Sequence, residues 1–120
     1  MLIREKDKQT LIRIFSAINF PIEVWAYGSR TSGTAHAGSD LDLVIRSQDL
    51  QKLPTDVFMK LKEMVTESNI PILVELFDWA RLPGSFQQNI KAQHEVLYSN
   101  TERILNEPSA EYKKNKDAND

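Results

Sequence analysis

A glycine–serine pair and two aspartates have types and spacing suited to chemistry on a phosphate. Gly28-Ser29 is followed by ten residues and then by Asp40 and Asp42. In the strand predicted over 40–46, positions i and i+2 point to one face, so both carboxylates lie side by side. Two adjacent carboxylates repel each other unless a cation lies between them. Mg²⁺ fits this role, because it prefers oxygen ligands and is commonly held by one or two carboxylates together with substrate phosphates.

The loop between the two parts of this motif has the residue types of a phosphate site. Gly28 allows a tight turn and close approach of the backbone to a ligand. Ser29 offers a hydroxyl, and free N–H groups near a helix start bind anions. Arg30 adds a positive charge for the same phosphates. The sequence therefore predicts a site in which these three residues bind phosphate and the two aspartates bind metal, typical of two-metal phosphoryl transfer.

Hydrophobic periodicity and turn residues predict the elements that position this motif. The predicted elements are a helix over 4–19, a strand over 23–27, a loop over 28–39, a strand over 40–46, a helix from 54 to about 68, a strand over 72–79, a short helix over 84–92 and a last strand over 95–98. This order predicts one small α/β (α+β) domain with helices covering a sheet. The strands at 40–46 and 72–79 are separated by a helix, which favours parallel pairing through a crossover. The nearly continuous apolar run at 72–79 predicts burial on both faces.

Composition restricts the class of protein further. The chain has 120 residues, 15 Lys+Arg against 17 Asp+Glu and no cysteine. This charge balance argues against recognition of a nucleic-acid backbone, and the lack of cysteine excludes disulfides and thiol catalysis. The sequence contains no apolar run long enough to span a membrane and no signal peptide, so we expect a cytoplasmic protein. We assign 1–106 to the domain and expect 107–120, which is nearly devoid of apolar residues, to be a disordered tail.

The spacing of Gly28-Ser29 and Asp40-Leu41-Asp42 resembles the signature of the nucleotidyltransferase superfamily related to DNA polymerase β. The stretches VWAYGSRTSGTAHAGSDLDLVI and LVELFDWARL are similar to those of minimal nucleotidyltransferases (MNT), small catalytic domains often encoded beside a HEPN-domain protein. The resemblance covers about residues 8–98. It implies a polymerase β-like fold, a small mixed β-sheet with flanking helices.

The same resemblance implies roles for individual residues. Gly28 and Ser29 would hold the triphosphate, and Asp40 and Asp42 would bind Mg²⁺. The third carboxylate of the family aligns with Glu75, where an aspartate is usual, so that Glu75 completes the catalytic and metal-binding set. Asp78 is the alternative third carboxylate. It is three residues away, and odd separations along a strand face opposite sides, which favours Glu75.

The implied activity is Mg²⁺-dependent transfer of a nucleoside monophosphate, AMP from ATP, to a hydroxyl, with two metal ions and departing pyrophosphate. The family association implies a tyrosine of a partner HEPN toxin as acceptor, a hetero-oligomer with that partner, and a role as antitoxin. Two alternatives remain open at this point. One is a module with weakened catalysis that neutralises its partner by contact, and the other is a transferase for a small-molecule acceptor.

Overall fold

The computed structural model describes residues 3–28 and 40–100. Helices and strands alternate along the chain much as the sequence predicts. The elements are α1 (Glu5–Ser16), β1 (Ile22–Tyr27), β2 (Leu41–Ser47), a 3₁₀ turn (Gln48–Leu50), α2 (Thr55–Thr66), β3 (Val74–Asp78), a second 3₁₀ turn (Trp79–Arg81), α3 (Gly84–Ala92) and β4 (Glu95–Ser99). Within the described ranges no helix is long and apolar enough to cross a membrane. The predicted tail, 107–120, lies outside the described residues.

The four strands form one mixed sheet in the order β3-β2-β1-β4. β1 pairs antiparallel with β2 and with β4, whereas β2 and β3 pair in parallel. Parallel neighbours need a crossover connection, and here α2 lies in that connection. The α+β class, the mixed sheet and the parallel pairing of the second and third strands are therefore confirmed.

β3 differs from its prediction in length and in burial. It begins at Val74 and ends at Asp78, because the Asp78 side chain accepts a hydrogen bond from the N–H of Ala80 and starts the 3₁₀ turn. Leu76 and Asp78 are buried, while Glu75 is exposed. The prediction of burial on both faces is wrong, because β3 is the outer strand of the described sheet and its Glu75 face is open.

The main core lies between the sheet and helices α1 and α2. It joins apolar residues of both helices to one face of the strands: Leu11, Ile14, Phe15, Ile22, Val24, Ala26, Leu41, Leu43, Ile45, Leu53, Leu61, Val65, Leu76 and Leu97. On β2 the side chains of this core alternate with Asp42, Val44 and Arg46, which must therefore point to the opposite face. One face of the sheet thus holds the fold together and the other carries the polar motif.

A smaller cluster covers the middle of that opposite face. It consists of Trp25, Val44, Trp79 and Ile90, and the last of these belongs to α3. Trp25 and Trp79 meet edge to face with ring centroids 5.5 Å apart, and the ring of His94 stacks on Trp25 at 3.7 Å. Both tryptophans are core residues, and α3 is fixed on the same side of the sheet as Asp42.

Arg46 anchors the end of this face away from the motif. Its side chain is 2% exposed, and its guanidinium lies 4.0 Å from the ring centroid of Trp25 and 4.7 Å from that of Trp79. Its Nη1 donates to Oε1 of Glu23 at 3.1 Å, across β1 and β2. Loss of one partner of a buried ion pair leaves an uncompensated charge, which is much more costly than loss of the pair.

We expect Arg46→Ala to lower the free energy of unfolding by about 3–5 kcal/mol, because it leaves the Glu23 carboxylate buried without this partner. Arg46→Lys should recover only part of the loss, since an ammonium lacks the planar group that stacks between two indoles. The double variant Glu23→Leu/Arg46→Met should be closer to the wild type than Arg46→Ala. Urea denaturation measures all three, and a double variant no more stable than Arg46→Ala would contradict the argument.

Candidate active site

Three polar side chains form a row across adjacent strands on the face opposite the main core. Tyr27 at the end of β1 pairs with Asp42 on β2, and Asp42 pairs in parallel register with Glu75 on β3. Neighbouring strands lie about 4.8 Å apart, so the three side chains are immediate neighbours. Register, rather than nearness in sequence, brings Glu75 to Asp42. We call Tyr27, Asp42 and Glu75 the carboxylate row.

Gly28 lies directly against this row. Its φ is +87°, in the region that residues with a Cβ rarely adopt, and a Cβ placed on it would be 2.7 Å from Oδ2 of Asp42. A side chain at position 28 is therefore disfavoured both by conformation and by space. The glycine of the Gly-Ser pair lets the backbone pass against the Asp42 carboxylate.

The electrostatics of the row favour a bound cation. The pKa of Asp42 is raised by burial and then by the negative charges of Glu75 and Asp40. The pKa of Tyr27 is raised to about 12, first by burial and then by Asp42 and Glu75, so its phenol is protonated at neutral pH. Burial is the larger cause of both shifts, and the contribution from neighbouring carboxylates is negative charge that a divalent cation would neutralise.

The residues of the row fit Mg²⁺ in the type and charge of their donors. Asp42 and Glu75 supply carboxylate oxygens from adjacent strands, and Asp40, exposed at the residue before β2, adds a third negative charge nearby. The described parts of the chain hold no group of three His, Cys, Asp or Glu side chains placed together as a metal site. Mg²⁺ needs fewer protein ligands than that, because it usually keeps several waters and also binds substrate phosphates.

Other candidate residues have different positions. Ser29 and Arg30, predicted to bind phosphate, lie outside the described residues. Asp78 is buried, and its Oδ2 accepts from the N–H of Leu53 at 2.9 Å and lies 3.3 Å from Nε of Arg81. Asp78 is thus engaged away from the carboxylate row, in agreement with its odd separation from Glu75.

Sequence reasoning did not single out Tyr27, although it lies between Trp25 and Gly28 in a strand that ends at the motif. The sequence feature that could have identified Tyr27 is a polar aromatic residue directly before the Gly-Ser pair. Only the pairing of β1 with β2 shows that its phenol adjoins Asp42.

Adjacent carboxylates beside a glycine turn suit a metal ion bound together with a phosphate. The family model described as "Polymerase beta, Nucleotidyltransferase" matches residues 9–103. The chain belongs to this family, and the expected membership of the nucleotidyltransferase superfamily is confirmed.

Among individual proteins, the chain is similar to the "Probable protein adenylyltransferase MntA" of Haemophilus influenzae (strain ATCC 51907 / DSM 11121 / KW20 / Rd). The two are 40% identical over 88 residues, which cover 72% of this chain and 74% of the relative.

Two solved structures share the fold. One, described as "Crystal structure of the toxin-antitoxin with AMP-PNP", has a TM-score of 0.64 and 20% identity, and the match covers 80% of this chain and 76% of the other. The second is a mutant of the toxin–antitoxin MntA-HpeT, with a TM-score of 0.60, 21% identity and coverage of 83% and 76%. At these identities the likeness shows the fold alone, and together with the family match it confirms the expected polymerase β-like architecture.

We expect Gly28→Ala to be destabilising by about 1–2 kcal/mol, since its φ is positive and its Cβ would collide with Asp42. Gly84→Ala is the matched control. A Cβ there meets nothing within 4 Å, so its free energy of unfolding should stay within about 0.5 kcal/mol of the wild type. Equal effects of the two substitutions in urea denaturation would show that the contact with Asp42 is unimportant.

We expect Asp42→Asn to make the metal-free protein more stable at neutral pH. Because the pKa of Asp42 is raised in the folded state, the unfolded chain loses this proton first as pH rises above about 3.8. The folded wild type therefore loses stability between that pH and the raised pKa, and the neutral amide avoids this loss. Unfolding in EDTA should show the difference at pH 7 but not at pH 3, and added Mg²⁺ should stabilise only the wild type. Equal stability at pH 7 would contradict the expectation.

Proposed function

We propose that this chain transfers AMP from ATP to a hydroxyl of a partner protein in a Mg²⁺-dependent reaction, and that it thereby acts as an antitoxin. The observation that carries the proposal is the Asp42 carboxylate, held against Gly28 and in register with Glu75. The relative named as a probable protein adenylyltransferase supports AMP transfer to protein. The toxin–antitoxin structures with the same fold, one of them with AMP-PNP, support a toxin as partner.

In the proposed mechanism, Asp40, Asp42 and Glu75 hold Mg²⁺, as one ion or two, while Gly28, Ser29 and Arg30 bind the triphosphate. Bound Mg²⁺ would supply Lewis-acid stabilisation of the charge that develops on the phosphate oxygens. The acceptor hydroxyl oxygen attacks the α-phosphorus, and the bond from that phosphorus to the bridging oxygen of the β-phosphate breaks. Pyrophosphate leaves with the electron pair, and the proton of the acceptor hydroxyl passes to the carboxylate of Glu75.

The position of Glu75 supports this role. It is exposed on the outer strand of the described sheet, so an acceptor carried by another molecule can reach it from outside. Its carboxylate extends one methylene further from β3 than the aspartate usual in the family. The open face accommodates this extra length, which a position buried on both sides would not.

The acceptor that we propose is a tyrosine of a HEPN-domain toxin, bound by this chain as a hetero-oligomer in the cytoplasm, without direct binding of nucleic acid. We assign the activity to residues 1–106. Neutralisation of a partner by contact alone and transfer to a small molecule are the competing functions. They differ in what becomes labelled, since contact transfers no AMP and a small acceptor is modified without any partner.

We expect purified protein, labelled ATP, Mg²⁺ and the product of the adjacent gene to give label on that product. Asp42→Asn should reduce transfer by on the order of 100-fold or more, because a displaced catalytic metal alone has an effect of this size. Glu75→Gln should lose transfer as well, and Glu75→Asp, which keeps the carboxylate, should retain it measurably. Glu63→Gln, which changes an exposed acid of α2 on the other side of the sheet, is the control and should leave transfer unchanged.

Three outcomes distinguish the competing functions. Tight binding and inhibition of the partner by both wild type and Asp42→Asn, with no label transferred, would establish neutralisation by contact. Label on a small molecule in the absence of the partner would establish the second alternative. Label on the partner that depends on Asp42 and Mg²⁺ establishes the proposed function.

A further inference from the structure

A cavity of about 370 Å³ opens beside the carboxylate row, on the β1 side. Six residues line it: Tyr27, Gly28, Phe86, Asn89, Ile90 and Gln93. Its walls are the end of β1 and the face of α3 that continues into Gln93. Positions 86, 89 and 90 recur at helical spacing, so their side chains share one side of α3, and Gln93 lines the cavity from the extended residue that follows the helix.

The chemistry of this lining favours an uncharged planar ligand. None of the six lining residues carries a side-chain charge at neutral pH, because the raised pKa of Tyr27 keeps its phenol protonated. Among the described residues, this lining offers no cation to a phosphate. Phe86, an aromatic residue that is 55% exposed, instead offers its ring to whatever occupies the cavity. Large exposed rings of this kind serve as stacking surfaces for bases in proteins that handle single nucleotides or single strands.

Two carboxamides complete the lining. Asn89 on α3 and Gln93 just after it both line the cavity, and both are exposed. Each carboxamide presents a donor beside an acceptor. This arrangement matches the edge of a nucleobase, and Asn and Gln pair with adenine in this bidentate way.

Gly28 connects the cavity to the carboxylate row, because it lines the cavity and also lies against Asp42. A ligand with a phosphate at Asp42 would therefore reach the cavity with its other, uncharged end. The volume lies at the small end of the range for ligand pockets, which suits one ring system rather than a folded peptide.

We propose that this cavity binds the purine base of the nucleotide substrate, with Phe86 stacking on the ring and Asn89 and Gln93 hydrogen-bonding to its edge. The proposal rests on the proposed function only in taking a nucleoside triphosphate as the ligand. It assigns the choice of base to α3, and it leaves the triphosphate and the metal to Gly28 and the carboxylates.

The test compares two ligands that differ in the base and sugar. Calorimetry measures the affinities for Mg²⁺–ATP and for Mg²⁺–tripolyphosphate in the full chain, with Phe86→Ala, Asn89→Ala/Gln93→Ala and a control. The control is Gln88→Ala, an exposed residue of α3 outside the lining. We expect both cavity variants to bind ATP about tenfold more weakly, consistent with the loss of one stacked base, and to bind tripolyphosphate as the wild type does. Gln88→Ala should bind both ligands normally, and thermal unfolding confirms that every variant is folded.

Three results would overturn the proposal. Unchanged ATP affinity in both cavity variants would show that the base lies elsewhere. Equal weakening of ATP and tripolyphosphate would show that the residues only support the fold of the phosphate site. Unchanged ATP affinity with loss of transfer to a protein acceptor would make the occupant a side chain of the partner. Absence of AMP transfer in the wild type would instead contradict the proposed function, and ATP-selective weakening would still support the base site.

Discussion

The Asp42 carboxylate lies against the backbone of Gly28, and the rest of the candidate site depends on this contact. It requires a residue without a side chain at position 28 and a positive φ there. It also requires β1 and β2 to be antiparallel and in the register that places Tyr27 opposite Asp42. A shift of one residue along β2 would turn Asp42 towards the helices and Leu43 towards the site, so the core and the site are fixed by the same register.

Side chains along β2 point alternately to the two faces of the sheet, so this one strand contributes both to the main core and to the candidate site. Leu41, Leu43 and Ile45 are fully buried beneath α1 and α2, and they hold β2 in place from one side. Arg46, buried between two indoles and paired with Glu23, fixes the other face at the end away from the motif. Burial and the negative charge of Glu75 both disfavour the ionised form of Asp42. The fold tolerates this cost because other residues of β2 hold the strand in place.

Local patterns were sufficient to predict most elements, but not the properties that depend on sheet order. The turn at Pro83 and the helical spacing after it gave α3 its observed limits, and the parallel pairing of β2 with β3 followed from the helix between them. The apolar run before Asp78 could not reveal that β3 is an outer strand, so its burial was predicted incorrectly. The ion pair between Arg46 and Glu23 joins residues 23 positions apart, and it could not be predicted without knowing the register of β1 and β2. Asp40 and Asp42 were identifiable because their relation is local, whereas the nearness of Glu75 to Asp42 had to come from resemblance.

The order of the strands also separates the parts of the proposed reaction. The cavity lies on the β1 side of Asp42, and Glu75 lies on the β3 side. A nucleotide that places its α-phosphate at Asp42 and its base against α3 would leave the face above β3 for the acceptor. In-line displacement requires the acceptor oxygen to lie opposite the departing pyrophosphate. An acceptor that approached over this open outer strand would have its distance from β3 set by the molecule that carries it. In the proposed reaction, the longer side chain of Glu75, at the position where the resemblance implies an aspartate, would extend further towards such an acceptor.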